Sequence, residues 1–203
     1  MHDSSLPLRA LLREVRSCSL CAAALPMGAK PVLQADGAAR VLIAGQAPGK
    51  RVHLSGIPFD DASGARLRSW LGVERALFYD ARAFAILPMG FCYPGTGASG
   101  DLPPRPECAQ AWRARLLAQL PKLDLTLVIG QFAMAYHLPL NRASLTDTVR
   151  DCEVATSPVI VLPHPSPRNN IWLSRNRWFE ADVVPILQRR LAALFSAAPP
   201  TPA

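Results

Sequence analysis

Two segments far apart in the chain combine the residue types of a binding or catalytic site. The first runs from Gly45 to Asp61 (GQAPGKRVHLSGIPFDD) and follows four apolar residues. Gly45 and Gly49 allow the backbone to approach a ligand closely, and Phe59 precedes two carboxylates. An aromatic ring beside a carboxylate suits a nucleobase pocket. The alternative is an ordinary loop, in which Phe59 belongs to the core and Asp60 and Asp61 cap the next helix.

The second segment, PHPSPRNNIW over residues 163–172, follows the apolar residues 159–162. Three prolines within five residues stiffen it, and they surround His164 and Ser166. A lone histidine is usually structural. Ligands, however, bind at the carboxyl ends of strands in open parallel sheets. The position of His164 directly after a predicted strand therefore favours a functional role.

Four of the five cysteines have an order typical of metal ligands. Cys18 and Cys21 form a CxxC pair near the N-terminus, Cys92 and Cys108 follow at a distance, and Cys152 stands alone. Cytosolic thiols rarely form structural disulfides, so four ligands are favoured over two bridges. Zinc and an iron–sulfur cluster each bind four thiolates. The alternative is that Cys92 and Cys108 are ordinary small hydrophobic residues.

The composition limits the classes of protein that fit. The 203 residues are enough for one domain with a hydrophobic core, and 22 basic against 15 acidic residues give a net charge of +7. This charge favours a polyanionic partner such as nucleic acid, although Arg-rich usage also arises from genomic base composition. No apolar run approaches the roughly 20 residues that cross a bilayer. We therefore expect a cytoplasmic protein without membrane association.

Apolar periodicity predicts the elements that position these residues. Strands are expected at 41–44, 84–87, 125–129 and 159–162, and helices at 6–15, from 63, at 106–120, 131–138 and 175–195. Residues 139–155 carry little signal, so weak structure is expected there. Strands that alternate with helices predict a three-layer α/β/α fold around a four-stranded, mainly parallel sheet. We expect one domain over residues 1–195 and a disordered tail over 196–203.

With both loops considered, nearly the whole chain resembles the uracil-DNA glycosylase superfamily. GQAPG at 45–49 resembles the first motif of its iron–sulfur families four and five, and GIPFDDASG at 56–64 resembles the continuation in family five. HPSPRN at 164–169 resembles the second motif, closest to the single-strand-selective branch. The cysteine order is similar to that of the cluster ligands. The resemblance implies a uracil-DNA glycosylase-like fold and a DNA repair enzyme.

The resemblance also implies catalytic roles. The enzyme would hydrolyse the N-glycosidic bond of deoxyuridine in DNA and leave an abasic site. His164 would donate a hydrogen bond to uracil O2, Asp61 would orient or deprotonate water, and Gln46 would act beside them. Phe59 would stack on the base, and the backbone of Ala47, Pro48 and Gly49 would shape the pocket.

The contacts with the base and the DNA follow from the same resemblance. Pro88 stands where family four often has a base-reading asparagine, so recognition would rest on Asn169, Asn170 or backbone groups near Met89 and Phe91. The DNA would be contacted by one residue set: Lys50, Arg51, His53, Ser166 and Arg168. Lys50, Arg51 and His53 would form an exposed basic loop, and Arg168 would fill the gap left by the flipped nucleotide.

The remaining expectations concern the cofactor and two alternative functions. The resemblance implies an iron–sulfur cluster of the 4Fe–4S type on Cys18, Cys21, Cys92 and Cys108, with zinc as the alternative, in a monomer that acts on uracil-containing DNA. A second hypothesis is a uracil-DNA binding protein that holds or crosslinks the abasic product without turnover. A third is a non-enzymatic, cluster-containing nucleic-acid module.

Overall fold

Short apolar strands form the centre of the molecule. The computed structural model describes residues 5–98 and 100–196. Its strands are β1 (Val41–Ala44), β2 (Phe84–Ile86), β3 (Thr96–Gly97), β4 (Gly100–Asp101), β5 (Leu125–Ile129) and β6 (Val159–Leu162). Four of them form a sheet in the order β2–β1–β5–β6, and each neighbouring pair is parallel. The predicted four-stranded parallel sheet is confirmed.

The helices cover both faces of this sheet. They are α1 (Ser5–Arg16), α2 (Lys50–Ser55), α3 (Ala62–Leu71), α4 (Arg75–Phe78), α5 (Pro106–Cys108), α6 (Ala114–Leu117), α7 (Gly130–His137), α8 (Leu145–Asp151), α9 (Asn170–Arg175) and α10 (Val184–Ser196). Two π-helical segments, Ala109–Arg113 and Phe179–Val183, and two 3-10 turns, Ala22–Ala24 and Pro167–Asn169, complete the set. None of these helices is long and apolar enough to cross a membrane.

Alternation along the strands divides the core into two layers. Val41 and Ile43 of β1 pack with residues of α3 and α10, whereas Leu42 packs with residues of α1 and α6. Successive side chains of a strand point to opposite faces, so a strand with helices on both sides is apolar throughout. All four residues of β1 are buried. The predicted three-layer α/β/α architecture is confirmed.

One expectation about the helices is wrong, and another is made more specific. Residues 139–155 contain α8, whose N-cap Ser144 accepts a hydrogen bond from the Asp147 amide. Only Val149 of this helix is buried, so no apolar stripe marked it. For residues 175–195 the sequence predicts a helix that Pro185 either kinks or divides, and the structure has a π-helical segment, Phe179–Val183, followed by α10, which begins one residue before Pro185. Pro185 lacks the N–H for an i−4 bond, and the wider winding immediately precedes it.

The strand order determines where a ligand can bind. The chain runs from β1 outward to β2 on one side, and then returns to β5 and continues to β6 on the other. The carboxyl ends of β1 and β5 therefore mark the switch point of the sheet, where open α/β folds form a crevice. The predicted tail at 196–203 lies outside the described residues except for Ser196, which ends α10.

Candidate active site

A cavity of about 650 Å³ opens at this end of the sheet. Its walls come from the loops after β1, β2 and β6, from the segment before α3 and from the hairpin of β3 and β4. Residues that line it include Gln46, Ala47, Pro48, Gly49, Lys50, Arg51, Phe59, Asp61, Pro88, Asp101, His164, Ser166, Arg168 and Asn169. Tertiary structure therefore brings together the two sequence segments, which are more than 100 residues apart.

The ring of Phe59 lies against the first glycine of the loop. Phe59 has a φ of 54°, and its ring edge is 3.4 Å from where a Cβ of Gly45 would stand. A non-glycine residue with positive φ is strained and persists only where its surroundings hold it. Gly64 of α3 supplies the constraint, because a Cβ there would stand 1.7 Å from the carbonyl oxygen of Phe59. The close approach of α3 thus positions an aromatic ring at the cavity wall.

Asp61 caps α3 and also reaches the cavity. Its Oδ1 accepts a hydrogen bond from the Gly64 amide at 2.9 Å, which stabilises the first turn of the helix. Its Oδ2 is 4.0 Å from the Cβ position of Gly49. Asp60 instead forms an ion pair with Arg75 at 3.2 Å and does not line the cavity. The capping role and the proposed site role therefore belong to the same residue.

The hydrogen bonds of His164 determine which nitrogen carries its proton. Nδ1 accepts from the Ser166 amide at 3.2 Å, so the neutral ring is protonated on Nε2. Burial lowers the pKa of His164, although Asp61 and Asp101 act in the opposite direction. The imidazole is therefore neutral at pH 7, with Nε2–H as its donor. Gly130, directly after β5, lies beside this ring, and a Cβ there would stand 3.9 Å from His164 Cδ2.

Short contacts hold the second loop in shape. The side-chain amide of Asn169 donates to the carbonyl of His164 at 3.1 Å, and the Arg66 guanidinium donates to the carbonyl of Ser166 at 3.2 Å. Arg168 is exposed, and its guanidinium lies against Gly100 of β4. Gln46 of the first loop donates through Nε2 to the Leu102 carbonyl at 3.2 Å. Both loops are thereby fastened around the cavity.

Met89 and Phe91 do not contact the cavity, and this corrects the expectation that they bind the substrate. Their side chains are only 6% and 2% exposed and belong to the core. The Met89 amide donates to the Gly45 carbonyl at 2.8 Å, and the Phe91 amide donates to Cys108 Sγ at 3.3 Å. Because these donors are already used within the protein, they do not face a base.

His53 also departs from the expectation. The segment that was expected to be an exposed basic loop forms α2, and His53 is only 5% exposed. Burial, assisted by the charge of Lys30, lowers the pKa of His53. The expected exposure of His53 is therefore wrong, and its ring does not line the cavity. Lys50 and Arg51 are exposed and line the cavity.

Sequence reasoning missed two polar residues of the cavity, Ser63 and Asp101. Asp101 lies at the end of a Gly-rich stretch, 93–101, whose composition is also typical of a surface loop. The short antiparallel hairpin of β3 and β4 turns this carboxylate toward the first loop. No residue spacing in the sequence signals such a turn toward the site. Val32 and Ile86, which supply apolar wall, were missed for the same reason.

The four expected metal ligands interact with one another, with Cys92 in the loop after β2 and Cys108 in α5. Burial and then neighbouring thiols raise the pKa of Cys92 to about 11 and of Cys108 to about 12. Burial and then Cys18 raise the pKa of Cys21. Cys18 Sγ accepts a hydrogen bond from the Trp112 indole at 3.3 Å. The thiols are therefore close enough to repel one another as thiolates.

The chemistry of this donor set fits a thiolate-bound metal group. Within residues 5–98 and 100–196, no three His, Cys, Asp or Glu side chains converge closely enough to hold an ion. A bound cation would remove the proton from each coordinating thiol and offset their mutual repulsion. The N–H donors that point at Cys18 and Cys108 are suited to a charged sulfur.

Fold and cavity together define an α/β protein with a ligand site at the switch point of its sheet. The family sequence model of the uracil DNA glycosylase superfamily matches residues 33–188, about three quarters of the chain. The chain belongs to this superfamily. Membership makes it a glycosidase of base excision repair that acts on DNA.

Proposed function

We propose that this glycosylase hydrolyses the N-glycosidic bond of deoxyuridine in DNA, releases uracil and leaves an abasic site. One observation carries the proposal. A neutral histidine that donates through Nε2 and a carboxylate with a free Oδ2 line the same cavity from two different loops. The first suits a developing anion and the second suits a water molecule. Phe59 adds a ring on which a flipped base can stack.

The reaction separates charge: His164 acts on the negative charge of the leaving base, and Asp61 acts on the attacking water. As the bond between C1′ and N1 breaks, its electron pair leaves with uracil, and O2 becomes negative. The Nε2–H of His164 donates to this oxygen, and such donors contribute about 3 to 4 kcal/mol to transition-state stabilisation. Water adds its oxygen to C1′, and Oδ2 of Asp61 accepts the proton that water loses. Burial lowers the pKa of His164 and keeps its imidazole neutral. The ring therefore donates a hydrogen bond to the uracil anion and transfers no proton to it.

The charged rim of the cavity supports binding of DNA. Lys50, Arg51 and Arg168 line the cavity and are exposed, which allows them to neutralise phosphates. Arg168 lies at the mouth, where its long side chain would occupy the gap left by the flipped nucleotide. Extruding a base from a duplex costs a few kcal/mol, and less from a single strand. The hydroxyl of Ser166 would add a phosphate contact.

We also propose that Cys18, Cys21, Cys92 and Cys108 hold an iron–sulfur cluster of the 4Fe–4S type, with zinc as the alternative. The motifs and the cysteine order resemble families four and five of the superfamily. When bound, such a group crosslinks the chain and takes no part in bond cleavage. It would fasten the end of α1 to α5 and to the loop after β2, whose Pro88 lines the cavity.

The decisive experiment is a single-turnover incubation with single- and double-stranded DNA that contains one deoxyuridine. The products are resolved with and without alkali, and free uracil is measured. Alkali-sensitive breaks with equimolar uracil are expected. Tight binding without release of uracil would instead support the binding-protein hypothesis, and a retarded covalent band would indicate crosslinking to the abasic sugar. DNA that contains hypoxanthine or xanthine tests the other deaminated bases.

A further inference from the structure

Asp101 brings a second carboxylate to the cavity, and a polar chain holds it in place. Thr96 and Asp101 are direct partners across the hairpin of β3 and β4, so their side chains share one face. The Thr96 hydroxyl donates to Asp101 Oδ1 at 3.4 Å and lies 2.6 Å from the hydroxyl of Tyr93. Tyr93 is 4% exposed. Thr96 and Asp101 are both exposed, and the buried Tyr93 holds the Thr96 hydroxyl from the interior side.

The free oxygen of Asp101 faces the same point as the free oxygen of Asp61. Asp101 Oδ2 is 3.4 Å from the Cβ position of Gly49, and Asp61 Oδ2 is 4.0 Å from it. In each carboxylate, Oδ1 accepts a hydrogen bond from the protein, and Oδ2 points to this glycine. Burial lowers the pKa of His164, and the charges of both carboxylates act on the ring across the cavity in the opposite direction. The cavity thus has two anionic groups on one side and a neutral donor on the other.

A carboxylate at the mouth of a DNA-binding cavity is unfavourable for phosphate binding. Among the described residues, no Lys or Arg forms an ion pair with Asp101. Its negative charge is therefore available to a ligand. Cleavage of the glycosidic bond places positive charge on the deoxyribose. A carboxylate attracts this charge more strongly the shorter the distance between them. A cationic sugar near Gly49 would be attracted by both carboxylates.

We propose that Asp101 is a second catalytic carboxylate, which contacts the deoxyribose and stabilises its positive charge while Asp61 orients the water. This inference rests on the proposed function. The electron pair of the broken bond leaves with uracil, water supplies the oxygen at C1′, and Asp61 takes the proton. Asp101 stays ionised throughout and transfers no proton. Its contribution is electrostatic, and it arises only as the charge develops.

Two DNA probes test this assignment through charge alone. One carries a pyrrolidine, which is cationic at neutral pH, in place of the deoxyuridine sugar, and the other carries a neutral tetrahydrofuran. The wild-type protein should bind the pyrrolidine probe more tightly. Asp101→Asn should reduce this preference by about tenfold or more and leave binding of the tetrahydrofuran probe unchanged or slightly tighter. Single-turnover excision should slow by about 10- to 100-fold, as for removal of one stabilising group.

Matched variants show whether the effect belongs to this carboxylate. Asp151→Asn removes an exposed charge at the end of α8, outside the cavity, and should change neither the preference nor the rate. Asp101→Glu keeps the charge and should retain part of both. Thr96→Val removes the anchor of Oδ1 and should lower the preference less than Asp101→Asn does.

The outcomes separate this inference from the proposed function. If wild-type protein releases uracil and Asp101→Asn keeps both the preference and the rate, Asp101 is a rim residue and the inference is overturned. If wild-type protein releases no uracil but Asp101→Asn still loses the preference, the sugar contact stands and the substrate assignment fails. If wild-type protein releases no uracil and Asp101→Asn keeps the preference for the pyrrolidine probe, both the inference and the proposed function are overturned.

Discussion

At the scale of single residues, one step along the chain separates two different roles. Asp60 points outward to Arg75, whereas Asp61 caps α3 and presents Oδ2 to the cavity. Their order in the sequence does not show which of them faces the site. The difference arises because the strained turn at Phe59 reverses the chain directly before them.

Asp61→Asn should lower single-turnover excision of uracil by about 10²- to 10⁴-fold, because an amide is a poor acceptor for a water proton. Binding to uracil-containing DNA should remain close to that of the wild type, since the amide still caps α3. Asp60→Asn is the matched control and should retain the rate. Full activity of Asp61→Asn together with loss in Asp60→Asn would reverse the assignment.

Gly64→Ala should disrupt the site without replacing a proposed catalytic side chain. The added methyl would collide with the Phe59 carbonyl, so α3 or the turn must move, at a cost of about 1–3 kcal/mol or more. We expect a lower Tm and a strong loss of excision. Gly37→Ala is a suitable control, because its Cβ would meet only the Gln119 carbonyl at 3.7 Å. Equal effects of both substitutions would contradict the argument.

At the scale of elements, the loop after β2 is held from two sides. Its amides bond to the first loop through Gly45 and Gln46. On the other side Arg113, which is 1% exposed, donates to the carbonyls of Leu87 and Pro88 at 2.9 and 3.3 Å. Arg113 ends the π-helical segment that follows Cys108, so the thiol region and the cavity wall share this connection.

Cys108→Ser should therefore reduce the metal content of the purified protein and lower its Tm, since a proposed ligand of the loop region is lost. Metal analysis and absorbance near 400 nm distinguish iron–sulfur from zinc. Cys152→Ser is the control, because this thiol lies outside the group of four and donates to the Val159 carbonyl at 3.6 Å. Unchanged metal content in Cys108→Ser would remove it from the ligand set.

At the scale of the whole molecule, stability should depend on pH in a defined window. Burial, together with the charge of Arg113, lowers the pKa of His137 to about 4, and the ring accepts a hydrogen bond from Arg113 at 2.6 Å. In the unfolded chain the pKa is near 6.5, so the unfolded state binds more protons between these values. Stability is full above pH 6.5 and falls as the pH decreases toward 4.

The Tm measured from pH 7.5 to 4 should show this decline, with His164 contributing in the same direction because its pKa is also lowered. His137→Gln keeps an acceptor for Arg113 but does not titrate, so its Tm should fall less steeply than that of the wild type. An identical slope in both proteins would assign the acid sensitivity to other groups.

Local pattern in the sequence was sufficient for the sheet and for much of the cavity. The four strands are apolar because both of their faces are covered, and β1, β5 and β6 have the predicted bounds. The two motif loops follow β1 and β6, and parallel strands place their carboxyl ends at one edge. The positions of Gly45, Phe59, Asp61 and His164 in the cavity follow from these local signals.

Tertiary structure decided the rest, because the remaining features depend on contacts between distant segments. His53 was expected to be exposed but is covered once α2 packs, and the amides of Met89 and Phe91 are occupied by partners 17 to 44 residues away. Asp101 joins the site only through a two-residue hairpin. The family and the sheet were thus determined by residue pattern, whereas long-range packing selected which polar groups face the substrate.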